Sequence, residues 1–219
     1  MTKTIRIINP NSNTAVTDGM SEALEPLRNE GGSALDCVTL AEGPFGIESE
    51  ADSIRVAPLL AEYMKADNEA DAFVIGCYSD PGLHLCREVT DRPVFGIAEC
   101  AIATALTRGG QFGVIAILAN SVGRHMRHMR ERLLHPRCAG DRPLGLSVTD
   151  VEGGADTFER MADIGRQLRD KDGADTIIMG CAGMARHRIP LEEALGLPVI
   201  DPTQAAASIA IGTLAVAAR

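Results

Sequence analysis

The chain has 219 residues, 45% hydrophobic and 23% charged, with a formal net charge of −9, which suits one large or two small globular units. The acidic balance speaks against a nucleic-acid or anionic-membrane partner, since both require basic surface, and no run approaches the roughly 20 apolar residues of a spanning helix. A small neutral or ionic metabolite is the expected partner.

The segment 1–8 passes directly into a strand-like run, with no charged leader and cleavage site of a secretory signal, so residence in the cytoplasm is expected. Cys37, Cys77, Cys86, Cys100, Cys138 and Cys181 contain no C-x-x-C pair, and in a reducing compartment they are expected as free thiols.

Taken in order, apolar β-branched runs predict strands over 4–9, 35–40, 72–76, 93–97, 112–118, 144–149, 175–179 and 198–200. Helices are expected between them, over 15–29, 48–66, 83–89, 99–107, 121–134, 157–170, 191–195 and 203–217. Pro26 should end the first helix early, and Pro58 should kink the second. Alternating strands and helices imply parallel sheets with right-handed crossovers. Runs with no polar alternation read as strands buried on both faces.

Two of these runs end alike, one in Gly76-Cys77-Tyr78-Ser79-Asp80-Pro81-Gly82 and the other in Gly180-Cys181-Ala182-Gly183-Met184. Strand carboxyl ends are where open α/β sheets bind ligands. The two cysteines stand 104 positions apart, Pro93 and Pro198 105, Ser12 and Ser121 109, and Val38-Thr39 and Val148-Thr149 110. Landmarks in the same order in both halves point to a duplicated α/β unit. Two such units facing across a pseudo-twofold axis would bring Cys77 and Cys181 to opposite walls of one cleft.

A nearby helix N-terminus can lower a thiol's pKa. One thiolate and one facing thiol can take a proton from one face of a carbon and return one to the other, inverting a stereocentre without a cofactor. The intermediate enolate requires donors at its oxygen. The backbone N–H groups of Tyr78, Ser79, Ala182 and Gly183 and the Ser79 hydroxyl are candidates. Asn9, Asn11, Asn120 and Ser121, at matching strand ends, can hold amide or carboxylate groups.

Other features read more plainly. Asp80-Pro81-Gly82 suits a helix N-cap with Pro in the first turn. His125 and His128 have a metal-ligating spacing but no acidic third ligand, and their arginine-rich helix reads as a solvated basic face or a subunit contact, so no metal site is expected. His84 and His187 follow the two cysteines and are candidates for tuning them. The other four cysteines read as packing. Gly109-Gly110-Gln111-Phe112-Gly113 precedes a strand, which is the wrong context for a dinucleotide loop.

Asn9-Pro10-Asn11-Ser12, the two Gly-Cys segments and Arg92-Pro93-Val94-Phe95-Gly96-Ile97 together resemble the hydantoin racemase family of the Asp/Glu racemase superfamily, over nearly the whole chain. The resemblance implies two Rossmann-like units with four-stranded parallel sheets and the active site between them. It implies Cys77 and Cys181 as catalytic bases, no cofactor, and a last helix packed back on the first unit. That sets the units at 1–98 plus 205–219 and at 99–204. A homo-oligomer is expected.

Arylmalonate decarboxylases, in the same superfamily, lack the first cysteine, so Cys77 speaks against that activity. Tyr78 and Ala182-Gly183 after the cysteines fit a ring amide, a 5-substituted hydantoin or allantoin, better than a free amino acid. The alternatives are an aspartate/glutamate-type racemase or a diacid isomerase using the same pair of thiols, and a small-molecule sensor that needs neither thiol. With aromatics at 3%, a small or polar substrate is expected.

Overall fold

The computed structural model describes residues 2–147 and 156–217. Strands β1 (Thr4–Asn9), β2 (Ala34–Thr39), β3 (Ala72–Ile75) and β4 (Val94–Gly96) form a parallel sheet in the order β2-β1-β3-β4. Strands β5 (Phe112–Ala116), β6 (Cys138–Pro143), β7 (Thr176–Met179) and β8 (Val199–Ile200) form a second in the order β6-β5-β7-β8. One topology is thus used twice, and the expected α/β class with two four-stranded parallel sheets is what the chain adopts.

The central strands are largely apolar because helices cover both their faces, Arg6 of β1 being held by Asp36 and Asp67. Ile5, Ile7, Val74, Val114, Ile177 and Ile178 are wholly buried. Helices α1 (Thr14–Ala23), α2 (Glu50–Ala66) and α3 (Leu83–Glu88) follow the strands of the first sheet, and α4 (Ile97–Arg108) leaves β4 to pack mainly on the second sheet. The second sheet carries α5 (Ala119–Glu131), α6 (Thr157–Asp170) and α7 (Arg188–Leu195), and α8 (Pro202–Val216) returns to pack on the first. Helix α1 stops at Ala23 and Pro26 falls in the 3-10 turn Glu25–Leu27, an early end as the proline predicts. Pro58 lies within α2, which starts from a Ser49/Asp52 capping box.

Helix α8 packs along α4 and also touches β1 and β3, while α4 reaches β7. These two helices join the sheets, and one hydrophobic cluster runs from Ile5 and Val74 through Ile102 and Ala206 to Val114 and Ile178. The core of the molecule therefore crosses the junction that the cleft opens.

The sixth strand departs from expectation. It is β6, Cys138–Pro143, instead of 144–149, and residues 148 and 149 lie outside the described residues. An edge strand is only half-covered, so it needs no apolar run, and it tolerates Pro143. Its polar residues are paired: Asp141 with His125, and Arg142 with Asp172 at 2.6 Å. The counterpart of β2 is β6, because Ile7 aligns with Cys37 and Val74 as Val114 aligns with Asp141 and Ile178.

Candidate active site

Each Gly-Cys pair has a geometric cause. Gly76 N–H donates to Ile8 O at 2.8 Å and Gly180 N–H to Ile115 O at 2.9 Å, closing the two ladders at equivalent points. A Cβ on Gly180 would lie 2.7 Å from Ile115 O, and one on Gly76 would lie 2.8 Å from Met20 Sδ and 3.0 Å from Ile8 O. Only glycine fits this close to the neighbouring strand, and the next residue is released from the sheet.

That next residue is Cys77 in one unit and Cys181 in the other, and both line one narrow pocket of about 30 Å³. Asn11, Tyr78 and Ser79 complete its wall from the first unit, and Ser121, Arg124, His125 and Ala182 from the second. Tyr78, Ser79, Arg124 and His125 are shared with an adjoining cavity of about 240 Å³. All six cysteines are free thiols.

Three residues expected at the site stand elsewhere. Asn9 is wholly buried behind the wall, its amide donating to Asn11 Oδ1 (3.1 Å), Asn13 O (3.0 Å) and Thr17 Oγ1 (3.0 Å). This network holds Asn11, whose Oδ1 also accepts the Asn13 N–H. With its oxygen committed to two donors, Asn11 has its Nδ2 to offer to a ligand. Asn120 is exposed and donates to Glu48 O at 3.0 Å, tying α5 to the loop before α2. Gly183 lines a different cavity, between α1 and the turn Ala182–His187.

The expected lowering of a thiol pKa by a helix N-terminus does not hold for Cys77. Helix α3 begins at Leu83, past a left-handed Gly82, too far along the chain to cap the thiol. Burial pushes the Cys77 thiol up to about 11, while hydrogen bonds from the Ser79 N–H and hydroxyl and the charge of Arg124 pull against it. Cys77 is thus a thiol at neutral pH, with Ser79 placed to stabilise its thiolate.

Asp80 also departs from the expected cap. It takes a positive φ of 43° and turns from the α3 turn to the start of α4, accepting from the Ala98 and Glu99 N–H groups at 2.9 Å each. The equivalent helix in the second half of the chain, α8, is capped by its own Asp201, which accepts from Gln204 N–H at 2.7 Å. Gly96 stands where a side chain would collide with the Asp80 carboxyl. Burial pushes the Asp80 carboxyl up to about 7 and that of Asp201 to about 6.

The histidines on α5 face inward, not to solvent. His125 Nδ1 lies 2.9 Å from Asp141 Oδ2, and its ring meets Tyr78 edge to face at 4.9 Å. His128 Nε2 lies 3.9 Å from Asp80 Oδ2, and burial lowers its pKa to about 4. The signal was present in the sequence: Ser121, His125 and Met129 recur at intervals of four, one face of a helix, and all three are buried. Arg124, beside His125, donates to Ser121 Oγ at 3.1 Å while its Nε is buried without a partner. It is the cation of the cleft, and sequence reasoning passed over it. Among the described residues, no group of three or more metal-ligating side chains occurs, and no helix is long and apolar enough to cross a membrane.

The chain thus has two four-stranded parallel α/β sheets with a strand-end cysteine from each lining one pocket. The chain belongs to the Asp/Glu/hydantoin racemase family, which matches residues 5–210. A hydantoin racemase from Pseudomonas sp. (strain NS671) is 36% identical over 205 residues, 90% of this chain and 80% of that one. One from Paenarthrobacter aurescens is 34% identical over 214 residues, 94% of this chain and 89% of that one. Among solved structures, the allantoin racemase from Klebsiella pneumoniae superposes with a TM-score of 0.93 at 28% identity, covering 98% of this chain and 89% of that one. These relatives are isomerases that racemise, and the chain is an enzyme of that class.

Proposed function

We propose that the protein racemises 5-substituted hydantoins or allantoin by passing a proton between two thiols, without a cofactor. The observation that carries this reading is the meeting of Cys77 and Cys181 in one cavity, each released from its sheet by a glycine. The ring lies between the sulfurs. One thiolate removes the C5 proton, the electron pair moves into the ring as the C4 carbonyl becomes an enolate, and the facing thiol protonates C5 from the other side.

Cys77 and Cys181 exchange the roles of proton acceptor and donor with the enantiomer bound. Asn11, Ser79, Ser121 and Arg124 offer donors to the ring carbonyls, and the Tyr78 and Ala182 backbones border the same space. Asn9 acts through Asn11. We further propose that the units are 1–98 plus 205–219 and 99–204, that Asn120 and Gly183 shape the site indirectly, and that the enzyme works in the cytoplasm as a homo-oligomer.

The test is a panel of enantiopure hydantoins, allantoin, aspartate and glutamate incubated in deuterated water. Loss of optical rotation with deuterium at C5 of a hydantoin or of allantoin is expected. Exchange confined to the free amino acids would overturn the substrate class, and tight binding with no exchange at all would leave a sensor.

A further inference from the structure

His125 is an unusual wall residue. Its side chain is only 5% exposed, yet it borders both the thiol cavity and the larger one beside it. Asp141, whose side chain is 1% exposed, faces Nδ1 at 2.9 Å. A carboxylate only accepts, so Nδ1 carries a proton and donates it, leaving Nε2 as the nitrogen that meets the cavity. The Tyr78 ring, at 83° to the imidazole, restrains it from turning.

Two further facts give the pair a direction. His125 is the basic side chain that Asp141 meets, and among the described residues Asp141 Oδ1 is buried without a partner. When both ring nitrogens carry a proton, the pair is a buried ion pair in which neither charge stands alone. In that form Nε2–H is a charged donor, the stronger kind of hydrogen bond.

We propose that His125 is a catalytic residue, donating a hydrogen bond from Nε2 to the substrate oxygen that carries the enolate charge, with Asp141 as its positioning residue. This rests on the racemase reading above. As a thiolate takes the C5 proton, the C5–H pair forms the C4–C5 double bond and the carbonyl π pair moves onto oxygen. The Nε2 proton stays on nitrogen and holds that oxygen. Reprotonation of C5 by the facing thiol returns both pairs, so nothing is oxidised and nothing is consumed.

The experiment compares the full-length protein with His125→Asn, Asp141→Asn and the double variant, reading kcat and KM for racemisation and for C5 deuterium exchange, with urea unfolding alongside. Removing an enolate donor should lower kcat by about 10²–10³ with KM changed far less. Asp141→Asn should lower kcat by about 10- to 100-fold, and the double variant should be no slower than His125→Asn alone, because the two act as one unit.

A His125→Asn variant that unfolds more easily but keeps the wild-type kcat overturns the inference, as do losses that multiply in the double variant. Where His125→Asn does not fold, the near-isosteric Asp141→Asn carries the same test. Wild-type protein that exchanges no hydantoin brings down the racemase reading itself. Wild-type exchange that is undiminished in His125→Asn brings down this inference alone.

Discussion

Asp80→Asn should be less stable than wild type in acid and more stable at alkaline pH. The Asp80 carboxyl is buried, accepts two N–H groups at the start of α4, and is pushed up to about 7 from its ordinary 3.8. A raised carboxyl pKa means that the native state keeps a proton that the unfolded chain releases, so this group's contribution is full below pH 3.8 and is lost as pH rises to about 7. A difference of 3.2 pH units corresponds to about 4 kcal/mol lost across that window. Asparagine loses one of the two acceptors, about 1–2 kcal/mol, but has no charge to desolvate and tolerates the positive φ. The variant should thus be about 1–2 kcal/mol less stable at pH 4 and about 2–3 kcal/mol more stable at pH 8. Urea unfolding of both proteins across this range measures the difference. A difference that stays constant with pH would refute the reasoning.

Gly180→Ala should cost about 1–3 kcal/mol, and more than Gly76→Ala. Its Cβ would press on the Ile115 backbone oxygen, whereas at Gly76 the nearest atom is the flexible end of Met20; urea midpoints of the two variants give the order. Alkylation of Cys77 by iodoacetamide, followed by mass spectrometry, should quicken about tenfold per pH unit from about pH 7 to 10, because the reactive thiolate grows until its pKa of about 11. A plateau near pH 8 would mean that the cleft stabilises the thiolate far more than burial opposes it.

Much of the fold was legible because the central strands are buried on both faces. Ile5-Arg6-Ile7-Ile8, Phe73-Val74-Ile75 and Thr176-Ile177-Ile178-Met179 have no other reasonable placement, and α6 begins and ends at the predicted residues 157 and 170. The strand β6 was illegible for the opposite reason: its stability comes from ladder bonds to β5 and from the pairs of Asp141 and Arg142, not from apolar pattern. That one misplacement hid the dyad, since the partner that turns His125 inward lies 16 residues away on that strand. Asp80 was misread because the helix it caps starts 17 residues on, and the only clue was the missing side chain of Gly96. The cysteine pair was legible because each thiol follows a glycine that lies close against the neighbouring strand, so geometry had written the repeat into the sequence.

The claim that matters most is that neither thiol acts alone. Cys77→Ser and Cys181→Ser should be compared with wild type for loss of optical rotation of an enantiopure hydantoin in deuterated water, at equal concentrations of folded protein. The account predicts that each variant loses racemisation by at least about 10²–10⁴-fold, the usual worth of a positioned acid or base. A single serine variant that racemises the same substrate at the wild-type rate would contradict it.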